Sequence, residues 1–251
     1  MKSMCNLKHI LISFFLLLGC QDQPTEEVPL DASLNTHYSL IIAGNTGSAR
    51  VRIRQYMDDR SASAQPLFLL GLSYHQEKKY TKAVEWFEKA ATFDNLEDRY
   101  PPTWHFLGWS YYYLGEVEKS KNAFNTFLTM HPKEGDSLFG LGLLVMNAGN
   151  LNEAEVLYTK SIAAQEGNSK PQAKAMSRLG DVFVLQGNVN AAQSMYMHAV
   201  ELDPDLYEAW YRLATTYDRS THAARIEQLL KKSKEAKERF YIHDHVTRFP
   251  E

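Results

Sequence analysis

Cysteine is almost missing from this 251-residue sequence: Cys5 and Cys20 are its only two, and both fall within the first twenty residues. Everything downstream therefore lacks a disulfide framework, a cysteine-based zinc site and a cysteine nucleophile. A surplus of charge is missing too, with 27 basic against 30 acidic residues and a net charge of −3. Nucleic-acid binders usually carry a basic excess, so no nucleic-acid partner is expected. No G-x-S-x-G, Walker phosphate loop or H-E-x-x-H occurs. Gly44-Asn45-Thr46-Gly47-Ser48 has the glycines of a phosphate loop but not its lysine. His243-Asp244-His245 reads as a polar tail close to the end, and the paired acids Glu26-Glu27 and Asp58-Asp59 fall in tether or helix-end contexts. No set of groups converges for acid–base work, so neither an enzyme nor a cofactor or metal is expected. What is present is ordinary for a folded chain: 44% hydrophobic, 12% aromatic and 23% charged residues.

Long apolar runs are scarce as well. Ile10 to Leu18 is a run of nine that follows a polar start flanked by Lys2 and Lys8. As a helix it would rise only ~14 Å, far short of a ~30 Å hydrocarbon core, so it does not read as a spanning segment. A basic start, a short apolar stretch and a small residue make residues 1–19 a secretory signal. Leu17-Leu18-Gly19-Cys20 resembles the lipobox of bacterial lipoproteins, although leucine is a less usual residue just before the Gly-Cys pair. That resemblance implies a lipidated Cys20 as the mature N-terminus. The mature chain would lose Lys2 and Lys8, leaving 25 bases against 30 acids and a net charge of −5. Residues 20–29, polar and carrying Pro24 and Pro29, read as a tether of at most ~30 Å. Gln21 is not the aspartate linked with inner-membrane retention in that family. The resemblance thus implies a lipid-anchored protein of the bacterial envelope, at the outer membrane and facing the periplasm.

A repeat organises the rest. Leu70-Gly71, Leu107-Gly108, Leu141-Gly142 and Leu179-Gly180 recur, with Leu213-Ala214 as a fifth copy, at spacings of 37, 34, 38 and 34. Twelve residues after each glycine stands a small residue (Ala83, Ser120, Ala154, Ala192), and sixteen after it an aromatic (Phe87, Phe124, Tyr158, Tyr196). At nineteen come Ala90, Phe127, Ser161 and Ala199, and Pro132 and Pro204 close two copies. This pattern resembles the tetratricopeptide repeat, a 34-residue helix-turn-helix unit. The resemblance implies an all-α, right-handed superhelical stack. Its copies fall at about 64–97, 101–134, 135–168, 173–206 and 207–219 onward. Departures are Phe127 at a small position, Asn95 and Glu166 in place of the terminal proline, and loss of register after Tyr217.

Glycine inside a helix costs ~1 kcal/mol against alanine, so four at one register need a compensating close approach of the paired helices. Gly115, Gly149 and Gly187 are placed to end first helices in a left-handed turn. The three and four surplus residues fall in Asn95–Pro102 and Gln165–Gln172, read as longer connections. Residues 30–63 read either as a degenerate repeat with its turn at Gly44-Asn45 or as an irregular segment with one helix near 47–59. Residues 220–251 read as a capping helix, capped by Thr221 and running to about Tyr241, with a tail. Lys231, Lys232, Lys234, Lys237 and Arg239 against Glu235 and Glu238 make it locally basic. That suits a solvated face, or contact with anionic lipid or an acidic partner.

In the family, positions 5, 9 and 12 of each repeat face a concave groove. Carried over, these are Phe68, Leu72, His75; His105, Trp109, Tyr112; Phe139, Leu143, Met146; Ser177, Asp181, Val184; and Tyr211, Thr215, Asp218. None is Lys, Arg or Asn, which disfavours the carboxylate clamp known in some members. An apolar-aromatic strip runs through the first three clear repeats, and the alternative is that these rings pack between neighbouring helices. The expected role is a membrane-anchored scaffold that binds a protein or peptide partner in envelope assembly (pilus, secretion or outer-membrane complex). The other reading is a glycan- or peptidoglycan-associated factor supporting a cell-wall enzyme.

Overall fold

The computed structural model describes residues 31–58, 60, 63–93 and 100–248, with side chains as far as Tyr241. Cys20, the signal and the tether lie outside the described residues, as do the His243-Asp244-His245 side chains. Twelve α-helices and no strand occur among the described residues, grouped in two compact units, 31–132 and 133–248. None of these helices is long and apolar enough to cross a membrane.

The first unit opens with a 3-10 turn, Ala32–Leu34, and three helix pairs follow. They are α1 (Asn35–Ile42) with α2 (Thr46–Asp58), α3 (Ala64–Gln76) with α4 (Tyr80–Ala91), and α5 (Pro102–Leu114) with α6 (Val117–Met130). Residues 35–58 are thus two helices around the Gly44 turn, not one. In the second unit α7 (Gly135–Asn147) pairs with α8 (Leu151–Ala164), and α9 (Ser169–Leu185) with α10 (Val189–Leu202). The unit ends on α11 (Tyr207–Thr215) and α12 (Arg219–Arg248). Pro102 starts α5 where its missing N–H is harmless. The Glu134 carboxylate caps α7 by accepting from the N–H groups of Asp136 and Ser137.

The reason for the register glycines is on the facing helix. A Cβ at Gly108 would lie 2.5 Å from the Phe124 ring, one at Gly142 2.8 Å from Tyr158, and one at Gly180 2.6 Å from Tyr196. Gly71 faces Phe87 in the same way. The aromatic of the second helix therefore packs directly against the backbone of the first. Ala83, Ser120, Ala154 and Ala192, all fully buried, let the helices close around it. Ser120 adds a bond, its Oγ donating to the Gly108 carbonyl at 2.8 Å.

The turns inside the first five helix pairs share one hydrogen bond. The N–H groups of Asn45, Lys79, Glu116, Asn150 and Asn188 each donate to the carbonyl five residues back. This bond needs a left-handed residue just before the donor. Gly44, Gly115, Gly149 and Gly187 supply it at φ +75° to +82°, and at the remaining turn Lys78 does so at φ +59°.

Two sequence expectations are corrected. The four surplus residues near 165–172 do not lengthen a loop: α9 starts at Ser169 and has 17 residues, so they become one extra helical turn. Pro171 is no obstacle there, because first-turn N–H groups have no intrahelical acceptor. The last helix runs to Arg248, beyond the expected Tyr241; its main part does follow Thr221, and one turn beginning at Arg219 precedes it. Asp218 caps that turn by accepting from the Ser220 N–H at 2.7 Å, and the backbone breaks from helical geometry at His222.

The basic residues of α12 also find local partners. Leu229, Ser233 and Ala236 form its narrow buried stripe, with Ser233 Oγ donating to the Tyr207 carbonyl. Lys232 stands over the Trp210 ring at 4.5 Å, Lys237 over Tyr207 at 5.8 Å, and Arg239 pairs with Asp205 at 2.6 Å. Lys231 and Lys234 face Glu235 and Glu238 one turn on. Lys231 and Lys234 remain largely exposed, so these contacts leave a solvated, locally basic face on the helix.

Candidate functional site

The predicted strip divides between buried and open side chains. In the first unit Phe68 and Leu72 are core residues of α3. The Phe68 ring lies within 4.8–5.7 Å of Tyr100, Phe106 and Phe87. His75 is half-buried, its Nδ1 2.9 Å from Ser110 Oγ and its ring edge-on to Phe106 and Tyr80. Burial, and secondarily the neighbouring His105, pull its pKa down to about 4, so it is neutral at neutral pH. His105 is itself interior, tilted against Phe127 at 5.4 Å. Phe127, the large residue at a normally small position, thus fills space beside His105.

What remains open in this unit is aromatic. Trp109 stands edge-on to Phe124 at 5.4 Å and to Tyr112 at 5.5 Å, and stacks against Tyr113 at 6.0 Å. Tyr113 also stacks on Tyr80, with centroids 4.5 Å apart and planes at 19°, and is 53% exposed. Tyr80, Trp109, Tyr112 and Tyr113 therefore form one half-open aromatic cluster. Sequence reasoning missed Tyr113 and Tyr80. The signal for Tyr113 was its place four residues after Trp109, on the same helix face.

The second unit is different. Leu143 is buried, while Phe139, tilted on Tyr158 at 5.8 Å, and Met146 are half-buried. One repeat further the apolar character ends. Asp181 pairs with Arg178 on its own helix and with Arg212 from α11, both at 3.0 Å. It also accepts from the Tyr196 hydroxyl at 2.7 Å. Burial first, and then this carboxylate, push the Tyr196 pKa well above the usual tyrosine range. Arg212 Nη1 reaches Ser177 Oγ at 3.2 Å. Tyr211 is 56% exposed. Arg178 and Arg212 were not among the expected residues, because they stand one position after the family's fifth. Their separation of 34, one repeat, was the available signal.

Among the described residues no three His, Cys, Asp or Glu side chains group in a way that would hold a metal ion. The arrangement offers surfaces for recognition: an aromatic cluster in one unit and an ionic one in the other.

Comparison with known proteins agrees with the repeat pattern. Tetratricopeptide-repeat family models match residues 64–95 and 173–206, 107–169, and 195–238. A curated relative, the Protein CTR9 homolog of Arabidopsis thaliana, is 26% identical over 136 residues, 53% of this chain but only 12% of its own length. Among solved structures, the C-terminal part of a TPR repeat-containing protein from Cytophaga hutchinsonii superposes with a TM-score of 0.64 at 16% identity, covering 81% of this chain and 78% of the other. YrrB, described as a TPR protein with an unusual peptide-binding site, gives 0.57 at 16% identity, covering 78% and 98%. At such identities the structural likeness speaks for the fold. With the register glycines seated on their aromatic partners and the family models covering most of residues 64–238, this all-α chain belongs to the tetratricopeptide-repeat family.

Proposed function

We propose that this protein is a non-catalytic scaffold that binds a protein or peptide partner through the aromatic cluster of Tyr80, Trp109, Tyr112 and Tyr113. The carrying observation is that several large rings are held half-open on one face while the helices beneath them are fully packed. Tryptophan and tyrosine are the commonest hot-spot residues, since they offer wide, stiff contact area at little entropic cost. Phe139 and Met146 extend the same chemistry in the second unit. A relative of the same fold is described as binding peptide, which supports the partner class. The Leu18-Gly19-Cys20 motif and the tether behind it support a lipid anchor at Cys20 in a bacterial envelope, with the outer membrane as its site and envelope assembly as its setting.

The test is a quantitative pull-down from detergent-solubilised envelopes with wild type and a Trp109→Ala, Tyr112→Ala double variant. Helicity should be nearly unchanged, and capture of the wild-type partner should weaken by at least ~2 kcal/mol, about thirtyfold. Equal capture by a normally helical variant would place the partner elsewhere. Metabolic labelling with a radioactive fatty acid, abolished in Cys20→Ala, tests the anchor separately.

A further inference from the structure

We propose that the outer face of α2, carrying Val51 between Arg52 and Arg54, lies on the anionic phospholipid headgroups of the leaflet that holds the Cys20 anchor. This rests on the lipid-anchor reading and adds orientation to it. The acyl chains keep the protein at the membrane, and α2 fixes which side of the first unit faces the bilayer.

The chain enters the folded unit beside this helix. Asp31, the first described residue after the tether, is fastened at both ends. Its N–H donates to Gln65 Oε1 at 2.8 Å, and its carboxylate accepts from the Tyr56 hydroxyl of α2 at 3.2 Å. Tyr56 follows Arg52 by four residues, one helical turn. A tether of at most ~30 Å therefore keeps α2 within reach of the surface that holds Cys20.

Thr46, Ala49 and Ile53 form the buried stripe of α2. With 3.6 residues per turn, Val51 points away from that stripe and Arg52 and Arg54 flank it on either side. All three are exposed, Val51 at 54%. Arg50, at the edge towards α3, pairs with Glu77 at 2.8 Å, whereas Arg52 and Arg54 have no partner among the described residues. From Ala32 to Met57 the sequence has these three arginines and no acidic residue, in a chain of net charge −3. Asp58 and Asp59 come only at the end of the helix. On α12, by contrast, the exposed Lys231 and Lys234 have Glu235 and Glu238 one turn away. Guanidinium forks match phosphate oxygens, and each arginine near an anionic leaflet adds attraction within a Debye length. One short apolar side chain between two cations is too little for the apolar core of a protein interface. It suits a charged headgroup layer with hydrocarbon just beneath.

Arginine footprinting with phenylglyoxal, read by mass spectrometry, tests this on the full chain purified from membranes and reconstituted into vesicles. One set of vesicles is phosphatidylcholine alone, and the other mixes it with phosphatidylglycerol. In the mixed vesicles Arg52 and Arg54 should react about fivefold more slowly than in the neutral ones, and raised salt should remove the difference. Val51→Asp leaves the buried stripe intact but sets a like charge against the headgroups, and it should bring the two rates close together. Equal rates in the two vesicle types for a wild-type chain that floats with both would overturn the docking and leave the anchor standing. Slow reaction in both types would place a second copy of the chain on α2, and a rate difference that survives Val51→Asp would move the lipid contact off this face; either overturns the docking. A chain that floats with neither vesicle would overturn anchor and docking together.

Discussion

The two units seat their glycines alike, yet they fill the space between successive repeats with opposite chemistry. In residues 31–132 the filling is aromatic: Phe87 and Phe106 each meet both Phe68 and His75, with ring centroids 5.4–6.4 Å apart. In residues 133–248 the corresponding place on α9 and α11 holds an ion pair network centred on Asp181. Close packing inside a repeat allows little choice, because a ring lying on a bare backbone leaves no volume for a Cβ. Between repeats, any side chains that fill the gap and satisfy their polar atoms will serve. That latitude is where two otherwise similar units can acquire different ligands.

The shared feature breaks most severely. Gly108→Leu sets a branched side chain where a Cβ alone would be 2.5 Å from the Phe124 ring. Overpacking usually costs ~1–3 kcal/mol, and the rigid partner ring here puts the loss at or above ~3 kcal/mol. Helix propensity predicts the opposite sign, since leucine is the better helix former. A thermal melt of Gly108→Leu at or above the wild-type midpoint would exclude the close approach.

The aromatic filling of the first unit can be separated from the ionic filling of the second by pH. Unfolded, His75 protonates below its ordinary 6.5, whereas folded it stays neutral until about 4. The unfolded state therefore binds more protons between these values, and stability falls as pH drops through that window, levelling off below it. From pH 7 to pH 5 the loss attributable to His75 is about 2 kcal/mol. Urea titrations of wild type and His75→Gln at both pH values check this. The wild type should lose more than the variant by that amount, and parallel losses would show that His75 titrates freely in the folded protein.

The sequence made the repeat legible because its rules are local: glycine, small residue and aromatic recur at fixed offsets within one helix pair. The surface was less legible because exposure depends on neighbours far along the chain. Phe68 occupies a family groove position but is covered by Tyr100 and Phe106, more than thirty residues away, and His105 sinks beneath Phe127. Nothing in the pattern around Phe68 signals that covering. The same holds for the basic α12, where Lys232, Lys237 and Arg239 rest on Trp210, Tyr207 and Asp205, about 22 to 34 residues earlier. The extra turn of α9 was unreadable for a different reason. Gly167, Asn168 and Pro171 suggest a loop, but a proline three residues into a helix is as compatible with helix as with loop.

The turns give the smallest expected effect and the sharpest contrast between repeats. In the five turns that share this hydrogen bond, four left-handed residues are glycine and the fifth is Lys78 at φ +59°. A residue with a Cβ is held in that conformation at a cost of roughly 1–2 kcal/mol. Glycine would relieve it but would give the unfolded chain more freedom, returning about half of the gain. Lys78→Gly should therefore stabilise the protein by ~0.5–1 kcal/mol, visible as a higher midpoint in a thermal melt. Lys78→Ala is the control, because it removes the charge and the long side chain but keeps the Cβ and so keeps the strain. The reverse change, Gly115→Lys, should lose a similar amount at a turn of the same hydrogen-bond pattern. If Lys78→Gly and Lys78→Ala raised the midpoint equally, the gain would come from the lysine side chain and its charge. The left-handed backbone would then carry no cost at this turn.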